Sequence, residues 1–266
     1  SFAKGPSLTV VRAATHMPGE ASVDYLKSVV LPMLADFGVR AGLRAEGLVL
    51  RHVLEHIPQP LDFLAELREA NGGGGTIFIE VPCLDWISAH RAWFDIFYEH
   101  VNYFRLDDFR RMFGRVLESG HVFGGQYLYV VADLASLRDP AAGGGVHFEF
   151  PADFTASVAR YADQMRARQS APGTAGSSVI WGGASKGVIF SLFMQRAGAK
   201  VDCVVDINPA KQGRYLAATG LRVSSPEDML RQAAAGSDIY VMNGNYLPEI
   251  RQMTQDRFNY MTVDHE

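Results

Sequence analysis

Cysteine is scarce in this sequence, and its scarcity excludes several classes of protein. Among 266 residues the only cysteines are Cys83 and Cys203, which lie far apart along the chain. A disulfide framework or a cysteine-based metal site requires cysteines at short, repeated spacings, so we predict neither. Two isolated thiols are typical of a reducing compartment, and we therefore expect a cytoplasmic protein.

Long apolar runs and an excess of basic charge are also missing. No apolar run reaches the roughly 18 residues that a membrane-spanning helix needs, and the opening SFAKGPSLTVVR lacks the apolar core of a signal peptide. The sequence has 25 basic against 29 acidic residues. A basic face for nucleic acid is therefore not expected. These absences favour a protein that binds neither nucleic acid nor membrane, and they give no indication of its oligomeric state.

The sequence does contain a regular alternation of helical and strand-like segments. Its length and its 48% hydrophobic content suffice for two domains of modest size. In the first half, strands are predicted at 46–54, 76–82 and 126–134, and helices at 23–37, 58–70 and 105–116. Strands that alternate with helices predict an α/β fold with a largely parallel sheet.

A glycine- and proline-rich stretch, RDPAAGGGV at 138–146, indicates a linker. It precedes a predicted helix at 152–170 and then a second α/β unit. In that unit strands are predicted at 178–183, 200–209 and 238–243, and helices at 185–198 and 226–235. We therefore predict a first domain over 1–137, a linker and connecting helix over 138–176, and a second domain over 177–266.

The glycine-rich loop WGGASKG at 181–187 follows a predicted strand and begins a helix. It approximates the dinucleotide-binding pattern G-x-G-x-x-G, with Ala184 in the middle place. Asp206 ends the next strand, where such a unit carries the carboxylate for a ribose. Two interpretations stay open: a phosphate-binding loop, or glycines that only permit a tight turn with Asp206 as a capping residue.

Six aromatic residues surround an adjacent carboxylate and imidazole in WFDIFYEHVNYF at 93–104. One interpretation is an ordinary buried core that contains a histidine. The other is an active site, with Glu99 and His100 in a dry pocket. Adjacent residues on a regular element point in different directions, so this second interpretation predicts a loop or a helix start here.

Several segments together resemble a known family. They are LRHVLEHIPQPLDFL, IFIEVPCLDW, FYEHVNYF, GGQYLYVVA, VIWGGASKGVIF and VVDINPAKQGRYLAATGLRV, in this order. The chain resembles class I S-adenosylmethionine-dependent methyltransferases over 46–266, specifically the nucleotide-sugar C-methyltransferases. The resemblance implies the C-terminal part of a Rossmann-like methyltransferase domain, followed by a second, smaller Rossmann-like domain. It also implies S-adenosyl-L-methionine as cofactor and a nucleotide-linked keto-deoxysugar as acceptor, in deoxysugar biosynthesis.

The sequence departs from this family in two places. Family members begin with a four-cysteine zinc module and then carry a glycine-rich loop that holds the donor, and this sequence shows neither. We therefore expect a member without its N-terminal part, and the activity of the chain as given depends on that loop. The family's motif tyrosine is replaced by Phe97, with Tyr98 adjacent.

Candidate catalytic residues follow from the chemistry and the resemblance. Methylation of the carbon next to a ketone needs a base and a stabilised enolate. We predict His100 as the base, because histidine titrates near neutral pH, and Glu99 as its orienting carboxylate. The resemblance adds His56 as a second active-site histidine, although a helix-capping loop residue is an equal interpretation. Tyr98 is the candidate phenol.

Candidate binding residues complete the prediction. The resemblance implies Arg51 and His52 near the adenine of the cofactor. The predicted contacts to the sugar nucleotide are Gly124, Gly125, Gln126 and Lys186. The glycine pair is also an ordinary hairpin signal. Glu55 is expected to be a surface partner, and no metal ligand set is predicted.

Three other functions stay open at this level. The first is O- or N-methylation of another small molecule, since a hydroxyl acceptor can use the same base. The second is an NAD(P)-dependent oxidoreductase built on 177–266, against which the short length after the glycine loop argues. The third is a non-catalytic nucleotide-binding remnant. We predict that the second domain covers the acceptor site and carries no redox cofactor.

Overall fold

The computed structural model of the chain describes residues 47–140, 147–170 and 176–263. These residues form two compact units, each made from two stretches of chain. The first unit consists of the described residues up to Trp86 together with Tyr98–Phe148. The second unit consists of Ile87–Phe97 together with the described residues from Glu149 onward. The predicted helix at 23–37 lies outside the described residues, and the domain boundaries stay predictions.

The described part of the first unit contains a four-stranded mixed sheet. Its strands are β1 (Gly47–Arg51), β2 (Thr76–Pro82), β3 (Val116–Val122) and β4 (Tyr127–Asp133). They are arranged in the order β1-β2-β4-β3. Strands β1 and β2 are parallel, and β4 is antiparallel to both of its neighbours. The carboxyl ends of β1 and β2 therefore lie at the same edge of the sheet.

Helix α1 (Pro60–Ala70) connects the two parallel strands. Proline at its first position loses no hydrogen bond, because the first amide groups of a helix have no partner within it. Asp62 lies in the first turn and Arg68 in the last, as the helix dipole favours. The other helices are α2 (Leu84–Ala89) and α3 (Leu106–Met112).

Alternating side chains of the central strands make the core of the first unit. Ile77, Ile79 and Val81 on β2 are fully buried, and so are Leu128 and Val130 on β4. This spacing follows from the two-residue period of a strand. Helix α1 packs against the same core. The packed sheet fixes the strand ends that carry the candidate site.

The second unit contains a fully parallel five-stranded sheet. Its strands are β5 (Ser178–Trp181), β6 (Cys203–Val205), β7 (Val223–Ser224), β8 (Asp238–Val241) and β9 (Asn259–Thr262), arranged as β7-β6-β5-β8-β9. Its helices are α4 (Ala156–Ser170), α5 (Ser185–Arg196), α6 (Pro226–Gln232) and α7 (Leu247–Met253). Parallel strands with intervening helices define a Rossmann-like unit, and the predicted α/β class is confirmed.

Several elements differ from the sequence prediction, which gave no bounds for strands β3, β7 and β9 or for helix α2. The strand predicted at 46–54 ends at Arg51, because His52 adopts a positive φ of 53° that extended backbone cannot continue. The helix predicted at 105–116 ends at Met112, since Val116 already belongs to β3. Helix α7 was not predicted. Among residues 47–140, 147–170 and 176–263, no helix has the length and apolar character needed to cross a bilayer.

Candidate active site

The turn after β1 carries two of the candidate residues. Residues Leu54–His56 form one turn of 3-10 helix, in which Glu55 is 1% exposed and His56 is 9% exposed. This turn follows the carboxyl end of a parallel strand, where open α/β sheets bind their ligands. His56 therefore lies close to the edge of the sheet at which such ligands bind, and its role as an active-site histidine stays a prediction.

The segment around Glu99 packs directly onto that turn. Tyr98 and Glu99 lie in a turn and His100 follows in irregular backbone, which is the loop geometry that the sequence analysis expected. The amides of Val101 and Asn102 donate to the carbonyl of Glu55 at 3.0 and 3.1 Å. These backbone hydrogen bonds hold the two segments together and bring His56 and His100 into one site.

The imidazoles of His56 and His100 lie edge to face, with their ring centroids 4.9 Å apart. Nδ1 of His56 lies 2.8 Å from the carbonyl oxygen of Glu99. A carbonyl can only accept a hydrogen bond, so Nδ1 is the donor and the neutral ring keeps its lone pair on Nε2. His56 is thereby fixed in a tautomer that can accept a proton.

Burial controls the protonation of His100. Burial, together with the nearby imidazoles of His56 and His52, lowers the pKa of His100 to about 3. The ring is therefore neutral near pH 7 and able to accept a proton. The cation formed when it accepts one needs a nearby negative charge, because an isolated buried cation is strongly disfavoured.

Glu99 contributes its backbone and its side chain to different partners. Its carbonyl accepts from His56, as described above, whereas its carboxylate accepts a hydrogen bond from the hydroxyl of Tyr98 at 3.1 Å. The side chain of Tyr98 is 72% exposed. The orienting role of Glu99 toward His100 and the role of Tyr98 stay predictions.

Glu55 was expected at the surface, and this expectation is wrong. Loop residues are usually exposed, but this turn lies beneath the segment that follows Glu99. Oε1 of Glu55 lies 3.5 Å from Nδ1 of His52, whose Nε2 lies 3.3 Å from Oε1 of Glu80. Glu80 also accepts from Arg51 through Nε at 3.0 Å and Nη2 at 2.8 Å.

Glu80 was not among the predicted site residues, although a signal for it was present. Glu80 is a carboxylate within the apolar strand TIFIEVP, and it is 5% exposed. A charge inside such a strand needs a partner, and the parallel register places Arg51 directly opposite it. Arg51 and His52, which were expected near the adenine, thus belong to a series of close contacts between basic and acidic side chains that ends at Glu55.

The cluster of Glu55, His56 and His100 has the chemistry either to bind a metal ion or to transfer protons. Ligand atoms of Glu55, His56 and His100 all lie within 4.8 Å of one another, a spacing that could hold a metal ion. The same groups, two imidazoles and a buried carboxylate, also suit proton transfer.

Two family models match the chain. A methyltransferase domain matches residues 13–116, and a C-methyltransferase C-terminal domain matches residues 135–259. These matches support a methyltransferase. Methyltransferases of the first matched family generally use S-adenosyl-L-methionine. No curated protein matches the sequence significantly.

The hairpin of the methyltransferase sheet contains three of the predicted substrate contacts. A 3-10 turn, Phe123–Gly125, connects β3 and β4, and Gly124 and Gly125 both have positive φ. A Cβ on Gly125 would lie 3.1 Å from Cδ1 of Trp86. Gln126 is buried, and its carbonyl accepts from the amide of Cys83. The backbone thus requires these glycines, while their contact with substrate stays a prediction.

Lys186, the fourth predicted substrate contact, lies in the part matched by the C-methyltransferase C-terminal domain. Its Nζ lies 3.2 Å from Oδ2 of Asp95 and 5.6 Å from the ring centroid of Phe94. Both charged side chains are largely buried. The ammonium group therefore has a local partner within the second unit, and its role toward a sugar nucleotide stays a prediction.

The glycine loop of the same domain makes close backbone contacts. A Cβ on Gly187 would lie 1.9 Å from the carbonyl oxygen of Gly182. Oδ2 of Asp206 accepts from the amide of Gly183 at 3.0 Å and from Nζ of Lys211 at 3.0 Å, and Oδ1 accepts from the amide of Asn208 at 2.9 Å. These contacts support the interpretation of a tight turn capped by Asp206.

Proposed function

We propose that this methyltransferase transfers a methyl group from S-adenosyl-L-methionine to a carbon of a nucleotide-linked keto-deoxysugar. The observation that supports the proposal is the contact between buried His56 and half-buried His100 near the carboxyl end of β1, in a chain that matches a C-methyltransferase C-terminal domain. A carbon next to a ketone becomes nucleophilic only when it loses a proton. A neutral imidazole can take that proton, and a carboxylate nearby would stabilise the cation that forms.

His100 is the proposed base. One of its ring nitrogens takes the proton from the carbon next to the ketone, and the electrons of that C–H bond pass into an enolate. The ring of Tyr103, 5.8 Å from that of His100 between centroids, forms part of the surrounding wall. Exclusion of water by such a wall strengthens the electrostatic interactions inside the site.

His56 is the alternative base. Its Nδ1 is held by the carbonyl of Glu99, and this contact leaves the lone pair of Nε2 for a proton. Tyr98 and Glu99, which hydrogen bond to each other nearby, are the proposed polar neighbours of the acceptor. The backbone at Gly124, Gly125 and Gln126 is a further proposed contact with the sugar nucleotide.

Residues at the end of β1 fit the adenine side of the cofactor. The imidazole of His52 is 39% exposed and lies edge-on to the ring of Tyr127 at 4.8 Å, so it offers a partly open aromatic edge. The guanidinium group of Arg51 is also exposed. When bound, S-adenosyl-L-methionine supplies an electrophilic methyl group.

Replacement of the proposed base tests this function directly. His100→Asn should slow exchange of the proton next to the ketone by about 10²–10⁴-fold, the usual contribution of a base. The measurement is deuterium incorporation in heavy water into a nucleoside-diphosphate keto-deoxyhexose, without methyl donor. His121→Asn, an exposed histidine on β3, is the matched control and should exchange at the parental rate.

The possible outcomes separate the candidates. Parental exchange in His100→Asn with loss in His56→Asn would make His56 the base. If the unaltered protein catalyses no exchange at carbon but methylates an oxygen or nitrogen of a small molecule, carbon methylation is wrong and the acceptor belongs to another class.

A further inference from the structure

Glu55 is the most deeply buried carboxylate among the described residues, at 1% exposure. Neither of its side-chain oxygens accepts a hydrogen bond from the part of the chain that the structure describes. Other buried carboxylates have strong cationic partners: Glu80 binds Arg51, and Asp206 binds Lys211. A buried polar side chain without hydrogen-bond partners is costly, which indicates that the carboxylate of Glu55 has a function.

The surroundings of Glu55 suggest that this function is proton transfer. A carboxylate oxygen of Glu55 lies within 4.8 Å of a ligand atom of His56 and of one of His100. Oε1 of Glu55 lies 3.5 Å from Nδ1 of His52. The side chain of His52 is 39% exposed, so it can exchange protons with water.

The proposed reaction creates a need for such a route. After each turnover the base holds a proton inside a site that excludes water, and it must lose that proton before the next turnover. The carboxylate of Glu99 hydrogen bonds to the exposed Tyr98. Glu55 is instead buried between the histidine pair and a histidine that reaches solvent.

We propose that Glu55 relays the proton taken up by His100 to His52, from which it passes to water. This inference rests on the proposed function. The C–H bond breaks and its electron pair stays in the enolate, while a new N–H bond forms on His100. That N–H bond breaks as an O–H bond forms on Glu55, and the O–H bond breaks as an N–H bond forms on His52. Loss of this proton to water returns all three groups to their starting states.

The distances allow the relay with little rearrangement. The gap from Glu55 to His52 is near hydrogen-bond length, and a small side-chain rotation closes it. The separation between Glu55 and His100, at most 4.8 Å between ligand atoms, can be spanned by a rotation of the carboxylate or by one bridging water.

Chemical rescue distinguishes a relay from a structural role. Glu55→Ala should lower the rate of deuterium incorporation into the nucleoside-diphosphate keto-deoxyhexose by about 10²-fold, the lower end of a general acid–base contribution. Added formate should partly restore the rate, because a small carboxylate can enter the cavity left by the side chain. Sodium chloride at equal ionic strength should not restore it.

Two further variants complete the experiment. His52→Gln, which changes a partly exposed side chain, should also slow exchange without unfolding the protein, as followed by circular dichroism. Glu118→Gln, an exposed carboxylate on β3, is the control and should exchange at the parental rate.

Each contrary result has a defined meaning. Parental exchange in Glu55→Ala, or a folded Glu55→Ala that formate does not rescue, overturns the relay and leaves the proposed function intact. Binding of one equivalent of zinc that depends on Glu55, His56 and His100 would make the cluster a metal site and also overturn it. If the unaltered protein itself catalyses no exchange, the proposed function fails and the relay fails with it.

Discussion

His100 shows how surroundings change the chemistry of one side chain. An exposed histidine has a pKa of about 6.5, whereas burial lowers the pKa of His100 to about 3. Between these two values the unfolded chain binds a proton at this position and the folded chain does not. Stability linked to His100 is therefore present above pH 6.5 and is lost progressively as the pH falls towards 3.

This linkage gives a measurable pH dependence of stability. We expect the free energy of unfolding to fall between pH 6.5 and pH 4 more steeply in the parent than in His100→Gln, by up to ~1.4 kcal/mol per pH unit. Urea denaturation at a series of pH values measures it. His121→Gln should keep the parental slope, since His121 is exposed. Equal slopes in the parent and in His100→Gln would show that burial does not hold this ring neutral.

At the level of elements, the loop before α5 is constrained by a backbone contact. Gly187 has no space for a side chain, because a Cβ there would meet the carbonyl oxygen of Gly182 at 1.9 Å. A clash with backbone cannot be relieved by a side-chain rotation. We expect Gly187→Ala to destabilise the protein by about 1–3 kcal/mol, as overpacking does, and thermal or urea unfolding would measure the loss.

The neighbouring glycine provides a matched control. A Cβ on Gly183 would lie no closer than 3.4 Å to the nearest atom, Oδ2 of Asp206. Gly183→Ala should therefore lower the free energy of unfolding much less than Gly187→Ala does. If both substitutions lower the free energy of unfolding equally, the contact with the carbonyl oxygen of Gly182 is not the reason for glycine at position 187.

At the level of the whole molecule, two α/β units occur in one chain, but only the first is proposed to bind a nucleotide cofactor. In the second unit the carboxylate of Asp206 is already occupied by Gly183, Asn208 and Lys211. A nicotinamide cofactor would have to displace these contacts to place its ribose there. We therefore expect NADH fluorescence to stay unchanged on mixing with the protein, at concentrations where a known dehydrogenase gives a clear signal. A saturable change that Asp206→Asn removes would refute this expectation.

Local sequence patterns were sufficient to predict most of the described elements. Strand β2 has the predicted bounds, Thr76–Pro82, because alternating apolar side chains and flanking glycines are local signals. Helix α1 begins at one of the prolines that predicted its start. The sequence also drew attention to Glu99 and His100, because an imidazole beside a carboxylate among aromatic rings is unusual, and their roles stay predictions.

Only the tertiary structure decided which of the site residues contact one another. The contact between His56 and Glu99 joins positions 43 apart and uses a backbone carbonyl, which no side-chain pattern reveals. The burial of Glu55 depends on the later segment that covers its turn, and the capping of the glycine loop depends on Asp206 from the next strand. The sequence by itself determined the elements and the chemistry available, because both follow from local composition and periodicity. Only the fold decided which distant groups lie side by side, because chain segments far apart in sequence come together through packing of the sheets.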